Sequence, residues 1–399
     1  MVAFANPILM NAIRFVIAQS TTRFVVNTVL SAVRYQTLQS SSSTVFTSLH
    51  SMQSLLRMVM SQFGGLIADS SYRVIVFRYA EVLFSLALAP VLVAFRADSE
   101  LSLAYTTALL GVILAIAPPV SKAMTPDAVD HPDELVAVNS WELTSEKILR
   151  YLAPVAAAYF LTWFGFNQTL LVSFSLLLIL AIVKTTIRFR TLTVTKQHVS
   201  TRLIDGASSL LRSDMRLLVA NTVITNLVVY PFYSVKLPIL LKSQGGEWKE
   251  VAALVNAAGA IGPIISQALL QAELLPKSIP VALRVSEKAQ ILSAIALIAC
   301  VFFKVNAAVH ALCLAFSTAA TNTFTVLFNS QAQRVLPGDL RGRFLANLMS
   351  VANFAGALGA LLYASDDEYV LLSVLTVGAC VRLLLLLASN MQTRLMTLL

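Results

Sequence analysis

Charge is scarce in this chain: 12% of its 399 residues are Asp, Glu, Lys or Arg, against 57% that are hydrophobic. Soluble domains carry about 25% charged residues, so a water-facing surface over this length is excluded. Cysteine is nearly absent. Cys300, Cys313 and Cys380 fall in apolar runs with no CxxC or Cys/His spacing, which argues against zinc and a disulfide framework and for buried thiols. His50, His131, His198 and His310 are too scattered to form a ligand cluster. No glycine-rich loop followed by Lys-Ser/Thr is present to cradle phosphate, which argues against an ATP-driven pump. No enzyme signature and no cofactor site are found. Residues 1–20 lack the pattern of a cleavable signal, since Arg14 and Gln19 interrupt any apolar core; the first span is expected to be its own insertion signal.

Long apolar runs are what the chain has instead, and its mean hydropathy is +0.77. About 20 apolar residues cross the hydrocarbon core as a helix, which satisfies its own backbone hydrogen bonds there. The pattern predicts an all-α polytopic membrane protein with about twelve spans. They lie near 13–36, 44–66, 74–95, 101–121, 140–163 and 168–187, then 217–240, 250–271, 281–303, 307–330, 343–363 and 369–389. The expected organisation is a six-helix bundle over 1–187, a polar cytoplasmic linker over 188–215 and a second six-helix bundle over 216–399. The net charge of +9 could point to nucleic acid, but its distribution follows the positive-inside rule instead. Lys184, Arg188, Arg190, Lys196, Arg202, Arg212 and Arg216, with Arg73, Arg78, Arg334, Arg341 and Arg343, fall on one side. Asp98, Glu100, Asp366, Asp367 and Glu368 fall on the other, and the acidic 125–134 loop dissents. Both termini are therefore expected in the cytoplasm.

The two halves echo each other. Ser61-Gln62, Asp69, Arg78 and Glu81 recur as Ser266-Gln267, Glu273, Arg284 and Glu287, and Pro132-Asp133-Glu134-Leu135 recurs as Pro337-Gly338-Asp339-Leu340, all 204 to 206 residues apart. Six spans and their repeat make a 6+6 bundle, in which substrate is expected between the halves near mid-membrane. Gly64-Gly65-Leu66-Ile67-Ala68-Asp69-Ser70-Ser71-Tyr72-Arg73 resembles the loop between helices 2 and 3 of the major facilitator superfamily. Leu135 to Pro154, with Asn139 and Ser140, and Gln331 to Arg343, with Pro337, Leu340, Arg341 and Gly342, resemble its enterobactin-exporter-like and macrolide-efflux-like branch at the starts of helices 5 and 11. The chain departs from that branch at Ser70, at Ala153-Pro154, and at Phe24-Val25-Val26-Asn27, where an acidic residue of helix 1 is missing.

Ionisable groups inside the bilayer cost about 2.5–3.5 kcal/mol each on the insertion scale, so each needs a partner or a watery cavity. Asp69, Arg73, Arg78 and Glu81, with Glu273, Arg284 and Glu287, are read as either structural staples at helix ends or a cytoplasmic gate. The resemblance implies the gate, with Arg341 and Arg343 as partners for Asp69. Arg78 and Glu81 share a helix face. Arg23 and Arg57 near helix centres, Arg34 towards the outer end and Lys236 deep in helix 7 have no obvious acidic partner on their own spans. They predict a positive cavity for an anionic substrate, unless Glu142, Glu146 or Glu287 neutralises them. Glu142, Glu146 and Arg150 form one stripe on helix 5, and Glu146, then Glu81, are the candidate proton carriers. Asn221, Asn226, Tyr230 and Tyr233 near Pro231 and Pro238, with Asn322, Asn329 and Gln331, are helix glue or cavity lining.

The resemblance implies a secondary active transporter that exports an amphipathic small molecule by alternating access, in exchange for protons. The arginines favour an anionic, siderophore-like cargo. Multidrug or macrolide efflux is the alternative, and a non-transporting sensor or lipid-binding protein of the same fold is the alternative of another class. Expected partners are the small-molecule substrate, a coupling proton and membrane lipids, with no nucleic acid, in a monomer of the bacterial inner membrane.

Overall fold

The computed structural model describes residues 7–68, 72–93, 99–125, 128, 134–189, 210, 215–243, 248–272, 274–276, 278–303, 305–335, 338–365 and 367–398. All regular structure among them is helical. The helices are α1 (Pro7–Ser40), α2 (Ser43–Ala68), α3 (Arg73–Val93), α4 (Glu100–Met124), α5 (134–164) and α6 (166–185). The second half has α7 (Arg216–Ser243), α8 (Trp248–Leu270), α9 (Ile279–Phe302), α10 (Ala307–Val335), α11 (Gly338–Leu362) and α12 (Glu368–Leu398). These positions match the apolar runs. The chain divides into two compact units, one over Met1–Val199 and the other over Ser200–Leu399. The 188–215 linker lies largely outside the described residues.

Two backbone irregularities follow directly from residue type. Gly165 has φ 76° and ψ 174°, a conformation that residues with a Cβ avoid, and it turns the chain from α5 into α6. In α7 the stretches Thr225–Val229 and Phe232–Lys236 are π-helical. Pro231 has no N–H to return to the Leu227 carbonyl, and Gly359 of α11 packs against that exposed oxygen. A Cβ at Gly359 would meet the Leu227 carbonyl and Pro231 Cγ, the latter at 2.7 Å. Tyr363 Oη donates to the Val228 carbonyl at 2.8 Å.

Each half is packed by the same pairing of its own helices. In the first, α1 lies on α5, α2 on α4, and α3 on α6 and α4; in the second, α7 lies on α11, α8 on α10, and α9 on α12 and α10. Small residues set the closest approaches. A Cβ at Gly64 would come 2.9 Å from the Ala115 carbonyl of α4, and one at Gly262 would come 2.6 Å from the Ala315 carbonyl of α10. One aromatic cluster closes an end of the first half, where Phe15, Phe77 and Phe189 have centroids 5.3–6.4 Å apart.

Among the described residues seven helices are long and apolar enough to cross a membrane by length and composition, and the 42-residue Thr144–Thr185 run contains two crossings joined at Gly165. Helices α1, α2 and α3 fall outside that set, and α11 enters only as the shorter apolar stretch Ala346–Leu362. In α1 and α2 the reason is packing: Gln19, Ser20, Thr22, Arg23, Thr28, His50, Ser51, Gln53 and Ser61 are buried inside the bundle. Polar residues that lower hydropathy here face protein.

Candidate functional site

Among the described residues a dense polar cluster lies in the first half, where α1, α4 and α5 meet. Arg23 is 7% exposed. Its Nη2 donates to Glu142 Oε1 at 2.9 Å and to Ser121 Oγ at 2.7 Å, and its Nη1 pairs with Glu146 Oε2. Glu142 Oε2 accepts from Thr125 Oγ1 at 3.1 Å, and Glu146 Oε1 accepts from Arg150 Nη2 at 2.8 Å. Ser20 and Ser145 hydroxyls meet at 2.7 Å beside it. Pro118 and Pro119 in α4 contribute locally, since the Pro118 carbonyl accepts from Ser121 Oγ at 3.1 Å. The i, i+4 stripe on helix 5 thus points at α1, as the spacing requires. The intrahelical Glu146–Arg150 pair forms, and Glu146 joins it to Arg23.

Of the two readings of Arg23, a cavity cation or one neutralised from a neighbouring helix, this geometry favours the second. Two carboxylates match its charge, because α5 docks on α1 with the stripe inward. Arg23 is therefore withdrawn from the set of cations held available for an anion.

A second buried pair involves Glu81, 4% exposed, and Lys184, 2% exposed, joined through Glu81 Oε1. Lys184 Nζ also stands 4.5 Å from the centre of the Phe77 ring. Two readings change here. Lys184 belongs to the interior of the bundle rather than to the linker's charge, and Glu81 takes its cation from α6 rather than from Arg78. Arg78 instead donates to the Ile187 carbonyl at 3.1 Å and lies 5.8 Å from the Phe189 ring.

The remaining candidates are dispersed. Arg34 Nη2 donates to Gln53 Oε1 at 3.2 Å, and Arg34 and Arg57 both bear electrostatically on His50. Lys236 is buried, and its Nζ donates to the Ser365 carbonyl at 2.6 Å, in the connection before α12. Its side chain thus reaches from within α7 to that connection. Asn226 Nδ2 donates to the Thr222 carbonyl of its own helix at 2.9 Å. Tyr230 is 40% exposed, whereas Asn322 is buried with Oδ1 lacking a hydrogen bond among the described residues. Arg73 is half-buried, and Arg284 Nε reaches the Pro280 carbonyl at 3.3 Å. Glu287 is buried and makes no hydrogen bond or ion pair among the described residues. Asp69, Glu273 and the side chains of Arg341 and Arg343 lie outside the described residues.

Arg382 is a functional candidate that the sequence pattern did not single out. It is 3% exposed, and it donates from Nη1 to the Gln290 carbonyl at 3.1 Å and from Nη2 to Thr225 Oγ1 at 2.6 Å. Gln290 Oε1 in turn accepts from Asn221 Nδ2 at 2.8 Å, so α12, α9 and the π-helical part of α7 are tied together. The signal was available: Arg382 is the one charged residue within 369–389. Of the three cysteines expected as buried thiols, Cys300 is buried, Cys313 half-buried and Cys380 exposed, and the Sγ atoms of Cys300 and Cys313 stand 3.1 Å apart. No group of three His, Cys, Asp or Glu able to hold a metal occurs among the described residues.

Residues 15–362 match the sequence profile described as Major Facilitator Superfamily. The chain belongs to that superfamily. It is a transporter and not an enzyme, and its helices form the facilitator fold of an integral membrane protein. Solved structures agree over nearly the whole chain. A peptide transporter POT in complex with sulfate aligns with a TM-score of 0.75 at 11% identity, covering 96% of this chain and 94% of that one. A D-xylose-proton symporter gives 0.69 at 12% identity, with 94% and 96% covered. The nucleoside transporter NupG gives 0.66 at 12% identity, with 94% and 98% covered. At such identity the likeness concerns the fold. No curated protein sequence matches the chain at a significant level.

Proposed function

We propose that this facilitator exports an amphipathic small molecule by alternating access, coupled to protons through the Arg23–Glu142–Glu146 cluster. The observation that carries the reading is Glu146, whose two oxygens bridge buried Arg23 on α1 and half-exposed Arg150 on α5. A carboxylate shared by two cations has two discrete arrangements. Ionised, it holds α1 against α5; protonated, it accepts more weakly and loosens one arm. Glu142 stays bound through Arg23 and Thr125 in either case, so the α1–α5 seam keeps one anchor while the other titrates. The gate assigned to Asp69, Arg73, Arg78, Glu273, Arg284, Glu287, Arg341 and Arg343 belongs to the same proposal as the element that opens to the cytoplasm.

The cargo is proposed to be anionic and siderophore-like, as the resemblance to the enterobactin-exporter-like branch implies, with Arg34, Arg57 and Lys236 as its candidate cationic contacts. Tyr230, Asn226 and Asn322 are the proposed polar contacts for its uncharged parts. The test has two arms. Proteoliposomes given a pH jump should move protons when cargo is present on the opposite side, and a protein that only senses or binds lipid would show no flux. Cells lacking or overexpressing the protein should differ in siderophore secretion in iron-poor medium. A change in drug or macrolide resistance without a change in secretion would replace the anionic cargo by a multidrug one and leave the transporter reading intact.

A further inference from the structure

The α9–α10 hairpin brings together two nucleophilic groups that the transport reading does not use. Cys300 lies in the last turn of α9, and Cys313 lies in the second turn of α10. Their Sγ atoms stand 3.1 Å apart, so the two thiols touch across the hairpin. The joint between them is held by its own backbone. Val305 N donates to the Cys300 carbonyl at 3.2 Å, and Phe303 N donates to the Ala299 carbonyl at 2.9 Å. At the start of α10, Asn306 Oδ1 accepts from Val309 N at 3.1 Å.

The two thiols differ in access. Cys300 is 3% exposed, whereas Cys313 is half-buried. Phe302, Phe303 and Leu312 beside them are exposed, so the surface around the pair is apolar. An apolar reagent therefore meets Cys313 first, with Cys300 behind it. An isolated buried thiol is inert packing; an accessible thiol in contact with a second one has a resolving partner. Three spans, α7, α8 and α9, separate this end of the hairpin from the 188–215 linker, which puts the two on opposite faces of the membrane. With the linker in the cytoplasm, as the charge distribution implies, the hairpin end lies on the face where disulfides persist.

We propose that Cys300 and Cys313 form a redox-active dithiol, a modification site that closes to an intrachain disulfide and staples α9 to α10. The oxidant is itself a disulfide, of a small thiol or of a protein. Cys313 loses its proton and attacks one sulfur of that disulfide; the reagent's S–S bond breaks, a mixed disulfide forms on Cys313 and one thiol leaves. Cys300 then loses its proton and attacks the Cys313 sulfur; the mixed bond breaks and the second thiol leaves. The pair gives up two protons and two electrons, and the reagent takes both up as two thiols. Closing the loop 301–312 constrains the unfolded chain and so favours the folded hairpin. The site lies apart from the Arg23 cluster and does not depend on the coupling reading.

The experiment uses the full-length protein in detergent, in a Cys380→Ala background, with dithiodipyridine as the disulfide. Thiopyridone absorbance and intact mass are the readouts. The parent should release two equivalents of thiopyridone and keep no adduct. Cys300→Ala should release one equivalent and keep a pyridylthio adduct on Cys313. Cys313→Ala should react several-fold more slowly while folded, and at the rate of Cys300→Ala once unfolded in SDS, which shows that its thiol is intact. The closed parent should melt about 3 °C or more above the reduced parent, and dithiothreitol should reverse the shift. A parent that keeps two adducts overturns the proposal. So does a folded Cys313→Ala variant that reacts as fast as Cys300→Ala, or a closed parent that melts no higher than the reduced one.

Discussion

Arg23 and Lys184 illustrate how a buried charge is kept in a helical bundle. Removing one member of a buried ion pair leaves the other uncompensated, at a cost of about 3–5 kcal/mol, whereas replacing both by neutral groups of similar shape is often nearly neutral. Lys184→Met should therefore lower the unfolding midpoint sharply by stranding Glu81, and Glu81→Gln with Lys184→Met should recover most of the loss. Equal losses in the single and double variants would mean that the pair is not coupled. Glu142→Ala is expected to be more damaging than Arg150→Ala. Glu142 has a side chain only 3% exposed and binds both Arg23 and Thr125, whereas Arg150 is 47% exposed at the edge of the cluster. Exposed pairs contribute about 1 kcal/mol or less. The same detergent melts rank the two.

At the level of the helix, glycines decide where backbones can touch. Gly64→Val should disrupt the α2–α4 packing, because the nearest atoms to a new Cβ are the Ala115 carbonyl at 2.9 Å and the Ile116 Cα at 3.0 Å, neither of which can rotate away. Gly356→Ala is the control, since its Cβ would find its nearest neighbour, the Asn226 carbonyl, at 3.7 Å. Expression and monodispersity on size-exclusion chromatography should fall for the first and hold for the second. The α9–α10 hairpin offers a covalent check of its own geometry. With Cys300 and Cys313 sulfurs 3.1 Å apart, a mild thiol oxidant such as diamide should produce an intrachain disulfide between them, seen as a linked peptide by mass spectrometry. Cys380 should remain alkylatable; a linked peptide that includes Cys380 would contradict the packing.

For the molecule as a transporter, the coupling proposal makes Glu146 the residue whose loss separates binding from work. Glu146→Gln keeps a hydrogen-bond acceptor for Arg23 but removes the titrating group. Proton-driven uphill flux in proteoliposomes should fall to near the level of protein-free vesicles, while downhill cargo exchange persists. Retention of uphill flux would move the coupling role elsewhere, with Glu287 of α9 next in line as a buried carboxylate without an ion pair among the described residues.

The succession of spans was open to a reader of the sequence because hydropathy is local: twenty consecutive side chains either suit hydrocarbon or do not. The break between 163 and 168 and the prolines of α7 were legible for the same reason, being properties of single residues or of neighbours in the chain, and the echo between the halves was legible because a repeat is read by comparing the sequence with itself. Superfamily membership followed from motifs of that kind. Tertiary structure alone decided the partners of the buried charges. Arg23 meets Glu142 across 119 positions, and Lys184 meets Glu81 across 103. Such pairs depend on which helix faces which, and helix spacing rules speak only to residues three or four apart. A shared face for Arg78 and Glu81 therefore left open that Glu81 meets Lys184, and Arg382 gained its partners only when α9 and α7 were folded around it.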